Sequence, residues 1–454
     1  MYRTLNPSTG ELVEQFAIAT DSEVESALDK ASTAFTVWRS SSFLQRAALI
    51  ERVAAILEGR IDRYAELFAL EMGKPLQQAK DEIQGCIQDC RSFAQEAERL
   101  LSPQVLMVDE GDARVRYDPL GLVLGIMPWN FPFRQVVRFS IPAIMAGNVV
   151  ILKHAPNVPK CAKAIAEVFV DAGAEAGVFQ TLFLSNEQAE KMLGDTRLRG
   201  LAFTGSVKAG KHLGAIASSH VKPTVLELGG NDPFIVFSDC DLDSTVNAAV
   251  AFRCRNNGQA CTAPKRIFVE KQIYQPFVEK FVAGMSARVV GDPLDSATEN
   301  GPMAREDLRS TLLEQIERIK GEGAELLCGG VALDRPGFFI SPAVITGAKI
   351  GGVSFTEELF GPVGVVFPFE SEDELVRLAN STDYGLGATV WTRSRERAAN
   401  VAQKLESGMV YINSALKPDA RVPFGGVKCS GVGKELGREG IRAFMNTKLV
   451  WSHF

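Results

Sequence analysis

The spacing of apolar residues changes several times along this chain, and the changes predict its elements. Between residues 21 and about 101 the spacing is helical, opening with Val24, Ala27, Leu28 and Ala31. Asp21 and Ser22 read as the N-cap region, with Glu25 completing a capping box from Ser22. Gly73-Lys74-Pro75 breaks the helical run after Met72, and the helix that follows carries Cys86 and Cys90. From 104 to 119 the period falls toward two, through Val105, Met107, Val115 and Tyr117, predicting a hairpin that turns at Glu110-Gly111-Asp112. Short unbroken apolar runs come next, at 121–127, 148–153, 200–203 and 234–237, with helical stretches after Asn130 and over 160–172. Strands that are apolar throughout and alternate with helices predict an α/β fold with parallel sheets covered on both faces. Lys448-Leu449-Val450-Trp451 predicts one more strand near the end.

At 454 residues the chain has room for two or three domains. Its 46% hydrophobic and 23% charged residues are ordinary for a globular protein. A net charge of −6 without a run of Lys and Arg argues against a nucleic-acid partner. No apolar stretch reaches membrane-spanning length, and the first residues lack the apolar core of a signal peptide, so a cytoplasmic protein without a membrane partner is expected. Eight cysteines in this length form no disulfide ladder. Cys86 and Cys90 have no histidine near them and predict core packing, so no metal site is expected. The four histidines, His154, His212, His220 and His453, are all remote in sequence from the cysteine considered next, which favours a carboxylate as its partner base.

Three stretches set reactive groups where chemistry needs them. In residues 252–266 a glycine and small polar residues lead into Cys261, and Thr262, Ala263 and Pro264 follow. This predicts a bend that presents a thiol, where a core helix would hide one. Lys265 and Arg266 stand close enough to favour its thiolate. Leu226-Glu227-Leu228-Gly229-Gly230 sets a carboxylate between leucines that should raise its pKa. Met127-Pro128-Trp129-Asn130-Phe131-Pro132 boxes in an amide. Singly, each has an ordinary reading, since a lone cysteine is more often an inert core residue. Together they supply a nucleophile, a general base and an oxyanion donor.

These stretches resemble the aldehyde dehydrogenase superfamily, whose most specific signatures are Glu-Leu-Gly-Gly, here 227–230, and Gly-Gln-x-Cys, here 258–261. The resemblance runs from Asn6-Pro7-Ser8-Thr9-Gly10 to the last dozen residues and is narrowest toward the short bacterial succinate-semialdehyde dehydrogenases. It implies two doubly wound α/β domains plus a small β oligomerisation element. The dinucleotide-binding domain would be discontinuous, over 1–104 and 120–228, with a catalytic domain over 229–425. Residues 105–119 and 440–454 would form the oligomerisation element of a homodimer or homotetramer. By the same resemblance Cys261 attacks an aldehyde, the Asn130 amide and the Cys261 backbone N–H hold the oxyanion, and Glu227 activates the water that releases a free acid. Members that pass the acyl group to coenzyme A usually lack that glutamate. Pro423-Phe424-Gly425-Gly426 is similar to a family loop beside the active site.

The resemblance also implies a nicotinamide cofactor held by Trp129, Lys153, Pro156, Gly205, Ser206, Glu358 and Phe360. Gly205 and Ser206 stand where a strand turns into a helix, and backbone N–H groups there can cradle phosphates. NAD-preferring members carry a glutamate where this chain has Pro156. Its absence removes the repulsion of a 2′-phosphate, so NADP is expected, with NAD the alternative. His154 is expected to be a surface or packing residue. On the substrate side Gln135 and Arg138 share a helix face, as do Asn130, Arg134 and Arg138. Arg138 and Arg255 align with substrate-tunnel positions, where two guanidiniums suit a carboxylate on the aldehyde's far end; the other reading of either is a structural salt bridge. Pro418 stands where some relatives place a serine, with Lys417 and Ser414 weaker candidates. Succinate semialdehyde fits best; glutarate semialdehyde, a simple aliphatic aldehyde, or non-redox esterase or thioesterase chemistry at the same thiol are the alternatives. No regulatory disulfide is expected at Cys254.

Overall fold

The computed structural model describes residues 1–453. Two large sheets carry the architecture. One has six strands in the spatial order Gly431–Val432, Thr224–Glu227, Leu198–Thr204, Leu122–Met127, Val149–His154 and Phe179–Thr181, parallel except at the first pair. The other has seven, in the order Glu325–Cys328, Ala343–Thr346, Val363–Phe369, Arg266–Glu270, Pro233–Val236, Gly387–Trp391 and Met409–Ile412, parallel except at the Glu325–Cys328 edge. Leu122–Met127 and Val149–His154 are buried at every position, which is why they read as unbroken apolar runs. The expected α/β class is the class observed.

The helices Asp21–Trp38, Phe43–Gly59, Ile61–Met72 and Leu76–Leu100 share one core with the six-stranded sheet. The first begins earlier than its sequence suggested. Thr20 is the N-cap and closes its box with Glu23, because a residue in extended conformation before the first turn can aim its hydroxyl at the third helical N–H. Gly73 ends the third helix in the left-handed conformation at φ 74°, which glycine adopts without strain. Cys86 and Cys90 pack in this core. Gln104–Leu106 pairs antiparallel with Asp112–Pro119, as a hairpin requires. The other edge of Asp112–Pro119 pairs with Met445–Ser452, making a three-stranded sheet that leaves Val105, Met107, Leu449, Val450 and Trp451 exposed. Phe454, the last residue of the predicted oligomerisation element, lies outside the described residues. Residues 426–439, given to no domain from the sequence, return through Gly431–Val432 to the edge of the six-stranded sheet. No helix among the described residues is long and apolar enough to cross a membrane.

Candidate active site

Three neighbouring strands of the six-stranded sheet end at one cleft. Trp129 and Asn130 follow Leu122–Met127, Gly205 and Ser206 follow Leu198–Thr204, and Leu228 and Gly229 follow Thr224–Glu227. Ligands of open parallel sheets bind outside the carboxyl ends of the strands. The opposite wall comes from segments feeding the seven-stranded sheet and carries Cys261, Glu358 and Phe360. The cleft encloses about 210 Å³, and Gln135, Thr204 and Leu308 complete it. Leu308 had no signal in the sequence, whereas Thr204 belongs to the Phe-Thr-Gly-Ser stretch that the resemblance sets against the dinucleotide.

The bend before Cys261 has a backbone cause. Helix Leu242–Cys254 stops, and Asn256, Asn257 and Gly258 all take left-handed conformations at φ 52°, 55° and 70°. Asparagine and glycine are the residues that tolerate this. Cys261 is thereby set into the cleft, partly buried and free of any disulfide. Burial pushes its thiol up to about 12, opposed by the charges of Lys265 and Arg138 and reinforced by Glu358 and Glu227. The sequence paired Lys265 with Arg266 as neighbours of the thiol. Only Lys265 acts there, for Arg266 turns away and donates to the carbonyls of Asn231, Leu378 and Ala379. Cys254 lies in a separate core, its sulfur 3.5 Å from that of Met285.

Asn130 is held from both ends. Its Nδ2 donates to Gln259 O at 3.0 Å, which fixes the amide's orientation. Its backbone carbonyl accepts from Lys74 Nζ and Asn256 Nδ2, each at 2.8 Å. Lys74 is buried and ion-paired with Glu82, whose other oxygen accepts from the backbone N–H groups of Phe133 and Arg134. This bracket around the 130–134 turn had no signature in the sequence beyond the Gly-Lys-Pro break.

Glu227 sits behind the cleft wall, 2% exposed, with neither carboxylate oxygen hydrogen-bonded. Burial, then the neighbouring Glu435, hold its pKa well above the usual carboxylate range, against Arg138 and Lys434. The flanking leucines are not the cause expected for them. Leu226 and Leu228 face helix Val207–Ser219, where a Cβ on Gly214 or Gly210 would meet them, while Glu227 points the other way toward Gly425.

The remaining candidates divide. Trp129 and Phe360 meet edge to face at 5.9 Å across the cleft. Ser206 caps helix Val207–Ser219, so this turn is a helix N-terminus as expected. Thr204 Oγ1, in the cleft, is buried without a partner. Lys153 is buried at the end of its strand and makes no hydrogen bond or ion pair among the described residues; burial lowers its pKa. Pro156 lies just beyond and accepts from the Arg3 N–H. His154 is a packing residue: Nδ1 accepts from the Ala155 N–H, which leaves the proton on Nε2 for Pro132 O, and burial takes its pKa down to about 4.

On the substrate side the two arginines read from the sequence differ in their partners. Arg138 is 4% exposed, donates through Nε and Nη2 to Glu435, and stacks 4.0 Å above the Phe424 ring. Its charge is answered inside the protein by Glu435, the salt-bridge alternative offered for it from the sequence. Among the described residues Arg255 has no carboxylate partner. It lies 5.3 Å over the Phe131 ring, and burial and nearby Arg134 both lower its pKa. Arg134 reaches Asp89 only at 3.3 Å and donates to Pro418 O at 3.2 Å, so the carbonyl of Pro418 is what serves this cluster. Gln135 lines the cleft with its Oε1 unpaired. Lys417 and Pro418 line a separate surface hollow, and Ser414 is exposed.

The parallel-sheet cleft faces a bent cysteine with an amide and backs it with a buried carboxylate, the three groups on which the sequence resemblance rests. Residues 1–450 match the aldehyde dehydrogenase family, and the chain belongs to that family. It is 47% identical over 451 residues to NADP(+) succinate-semialdehyde dehydrogenase 1 of Mycobacterium tuberculosis, covering 99% of each chain. A probable NADP(+) succinate-semialdehyde dehydrogenase of Synechocystis is 43% identical over 448 residues, again covering 99% of each. Among solved structures, succinic semialdehyde dehydrogenase from Streptococcus pyogenes, with NADP+ as its cofactor, superposes with a TM-score of 0.98 over all of both chains at 35% identity.

Proposed function

We propose that this aldehyde dehydrogenase oxidises succinate semialdehyde to succinate with NADP+. The observation that carries the substrate is the Arg255 guanidinium, partly buried beside Arg134 and in no ion pair among the described residues. A cation so placed is completed by an anionic group on the ligand. The names of the relatives point to the same aldehyde.

The cleft also suits the cofactor. Lys153 offers an ammonium with no protein acceptor, Thr204 Oγ1 lacks a partner, and the Gly205-Ser206 helix N-terminus offers N–H groups to a phosphate. Pro156 leaves no carboxylate to repel a 2′-phosphate. Trp129 and Phe360 would flank the ring end, and Glu358 would accept from the ribose. When bound, NADP+ accepts the hydride released from the substrate carbon.

The chain's own groups do the rest. Cys261 sulfur, as thiolate, attacks the aldehyde carbon, and the oxyanion forms against the Asn130 amide and the Cys261 N–H. Such a donor is worth on the order of a hundredfold in rate. Loss of hydride from that carbon leaves a thioester on Cys261. Glu227, turned from its pocket toward the cleft, takes a proton from water as the water attacks the thioester, and succinate leaves while the thiol is restored.

The exposed apolar residues of the three-stranded sheet, Val105, Met107, Leu449, Val450 and Trp451, support a homodimer or homotetramer. The domain division read from the sequence and a cytoplasmic location complete the reading. The test is nicotinamide reduction, followed by absorbance, with succinate semialdehyde and an uncharged aldehyde of similar length, each with NADP+ and NAD+. Preference for the charged aldehyde and for NADP+ is expected; equal rates with both aldehydes would remove the substrate assignment.

A further inference from the structure

Lys265 is the one lysine that touches the nucleophile's own backbone, and it is 0% exposed. An ammonium has three N–H donors, and a buried one must place all of them or destabilise the fold. Lys265 places them on Ala260 O at 3.0 Å, Cys261 O at 2.5 Å and Glu358 Oε1 at 3.0 Å. Glu358 Oε1 also accepts from the Gly230 N–H at 3.1 Å. Gly230 packs so closely that a Cβ there would stand 2.7 Å from Cys261 O. One buried ammonium therefore joins three segments of the cleft wall: the bend carrying the thiol, the turn after Glu227, and the loop carrying Glu358 and Phe360.

We propose that Lys265 is a positioning residue for the oxidation, clamping the carbonyl of Cys261 to the carboxylate of Glu358 so that the thiol and its backbone N–H face the cleft beside a fixed positive charge. This rests on the reading of Cys261 as the nucleophile. The clamp fixes the peptide that follows Cys261, and with it the direction in which the side chain leaves the bend. It also keeps a charge close to a sulfur that burial disfavours as thiolate. The other ionisable groups acting on that sulfur are Arg138, Glu358 and Glu227. Both cations are ion-paired, Arg138 with Glu435 and Lys265 with Glu358, and the two carboxylates oppose the thiolate; of the favourable charges Lys265 acts most strongly and Arg138 next. Asp232 faces Lys265 from the strand beside it; burial raises its carboxyl to about 7, and Lys265 opposes that rise. Arginine could keep the charge but not the same three contacts, because its donors are spread over a rigid plane.

The test compares the full-length wild type with Lys265→Met and Lys265→Arg. Alkylation of Cys261 by iodoacetamide is followed by peptide mass, without cofactor, from neutral to mildly alkaline pH, alongside steady-state oxidation. One unit of thiol pKa changes the thiolate fraction about tenfold, and the higher nucleophilicity of the more basic thiolate returns about threefold of that. Lys265→Met should alkylate about three- to tenfold more slowly at every pH, and its kcat should fall by at least about tenfold. Lys265→Arg should alkylate within about twofold of wild type while its kcat stays below it. Alkylation of Lys265→Met at the wild-type rate would overturn the proposal. Should that variant not fold, Lys265→Arg decides the matter: a rate more than about threefold below wild type would overturn the charge role. If Cys261→Ala still reduces NADP+, the nucleophile reading fails, and the alkylation comparison stands apart from that result.

Discussion

Arg255→Met separates a ligand receptor from a structural arginine. A structural arginine is bonded to a carboxylate, so its removal strands a buried charge and costs about 3–5 kcal/mol. Arg138 is such a residue, through Glu435. Arg255 lies over the Phe131 ring with no ion pair among the described residues; Arg134 repels it, and Glu82 and Asp81 act on it only from a distance. Replacing it with an apolar chain of similar length removes a charge whose burial is uncompensated, so urea unfolding should find Arg255→Met between unchanged and about 2 kcal/mol more stable. The same change should remove a charge-assisted hydrogen bond to the substrate, worth about 1.5–3 kcal/mol. That is about a 10- to 150-fold loss in kcat/KM for succinate semialdehyde, with an uncharged aldehyde nearly unaffected. The paired assays are denaturant titration and steady-state kinetics on both aldehydes. An Arg255→Met enzyme destabilised by more than about 2 kcal/mol, or impaired equally on both aldehydes, would refute the argument.

Glu227→Gln should slow deacylation by about 10²- to 10⁴-fold, seen as a burst of nicotinamide reduction followed by slow turnover. The raised pKa of Glu227 in the folded state means that wild type holds this proton more tightly folded than unfolded. Its favourable effect on stability is therefore full at low pH and lost as pH rises through the folded pKa, so the melting temperature of Glu227→Gln should gain on wild type from pH 5 to pH 8, by calorimetry. Pro156→Glu should lower the NADP+/NAD+ ratio of kcat/KM by at least about tenfold, since like charges set side by side cost several kcal/mol. Lys74→Met should cost about 3–5 kcal/mol in unfolding free energy by leaving Glu82 unpaired, and lower kcat by loosening Asn130.

What the sequence made legible is what short range dictates. Unbroken apolar runs printed the buried strands, and Asn256-Asn257-Gly258 printed the left-handed bend before Cys261. The Gly-Gly after Glu227 printed a close approach, since a Cβ at either glycine would strike the loop of Cys261 or Glu358. Even the helix start was missed by only two residues, because Thr20 and Ser22 are both competent caps and the choice depends on where the chain leaves the preceding segment. What stayed hidden is pairing across long separations. Arg138 and Glu435 lie 297 positions apart. The carboxyl of Glu227 has its pKa raised by burial first and then by Glu435, against Arg138 and Lys434, while the leucines beside it in sequence face the other side of the strand. Lys265 and Arg266 look alike as neighbours of the thiol, yet the first ties its carbonyl and the second faces away. These pairings determine function more than the motifs do. The motifs bring two arginines close to the thiol; only the remote glutamate separates Arg138, already paired, from Arg255, which has no carboxylate partner among the described residues and carries the proposed contact to a charged substrate.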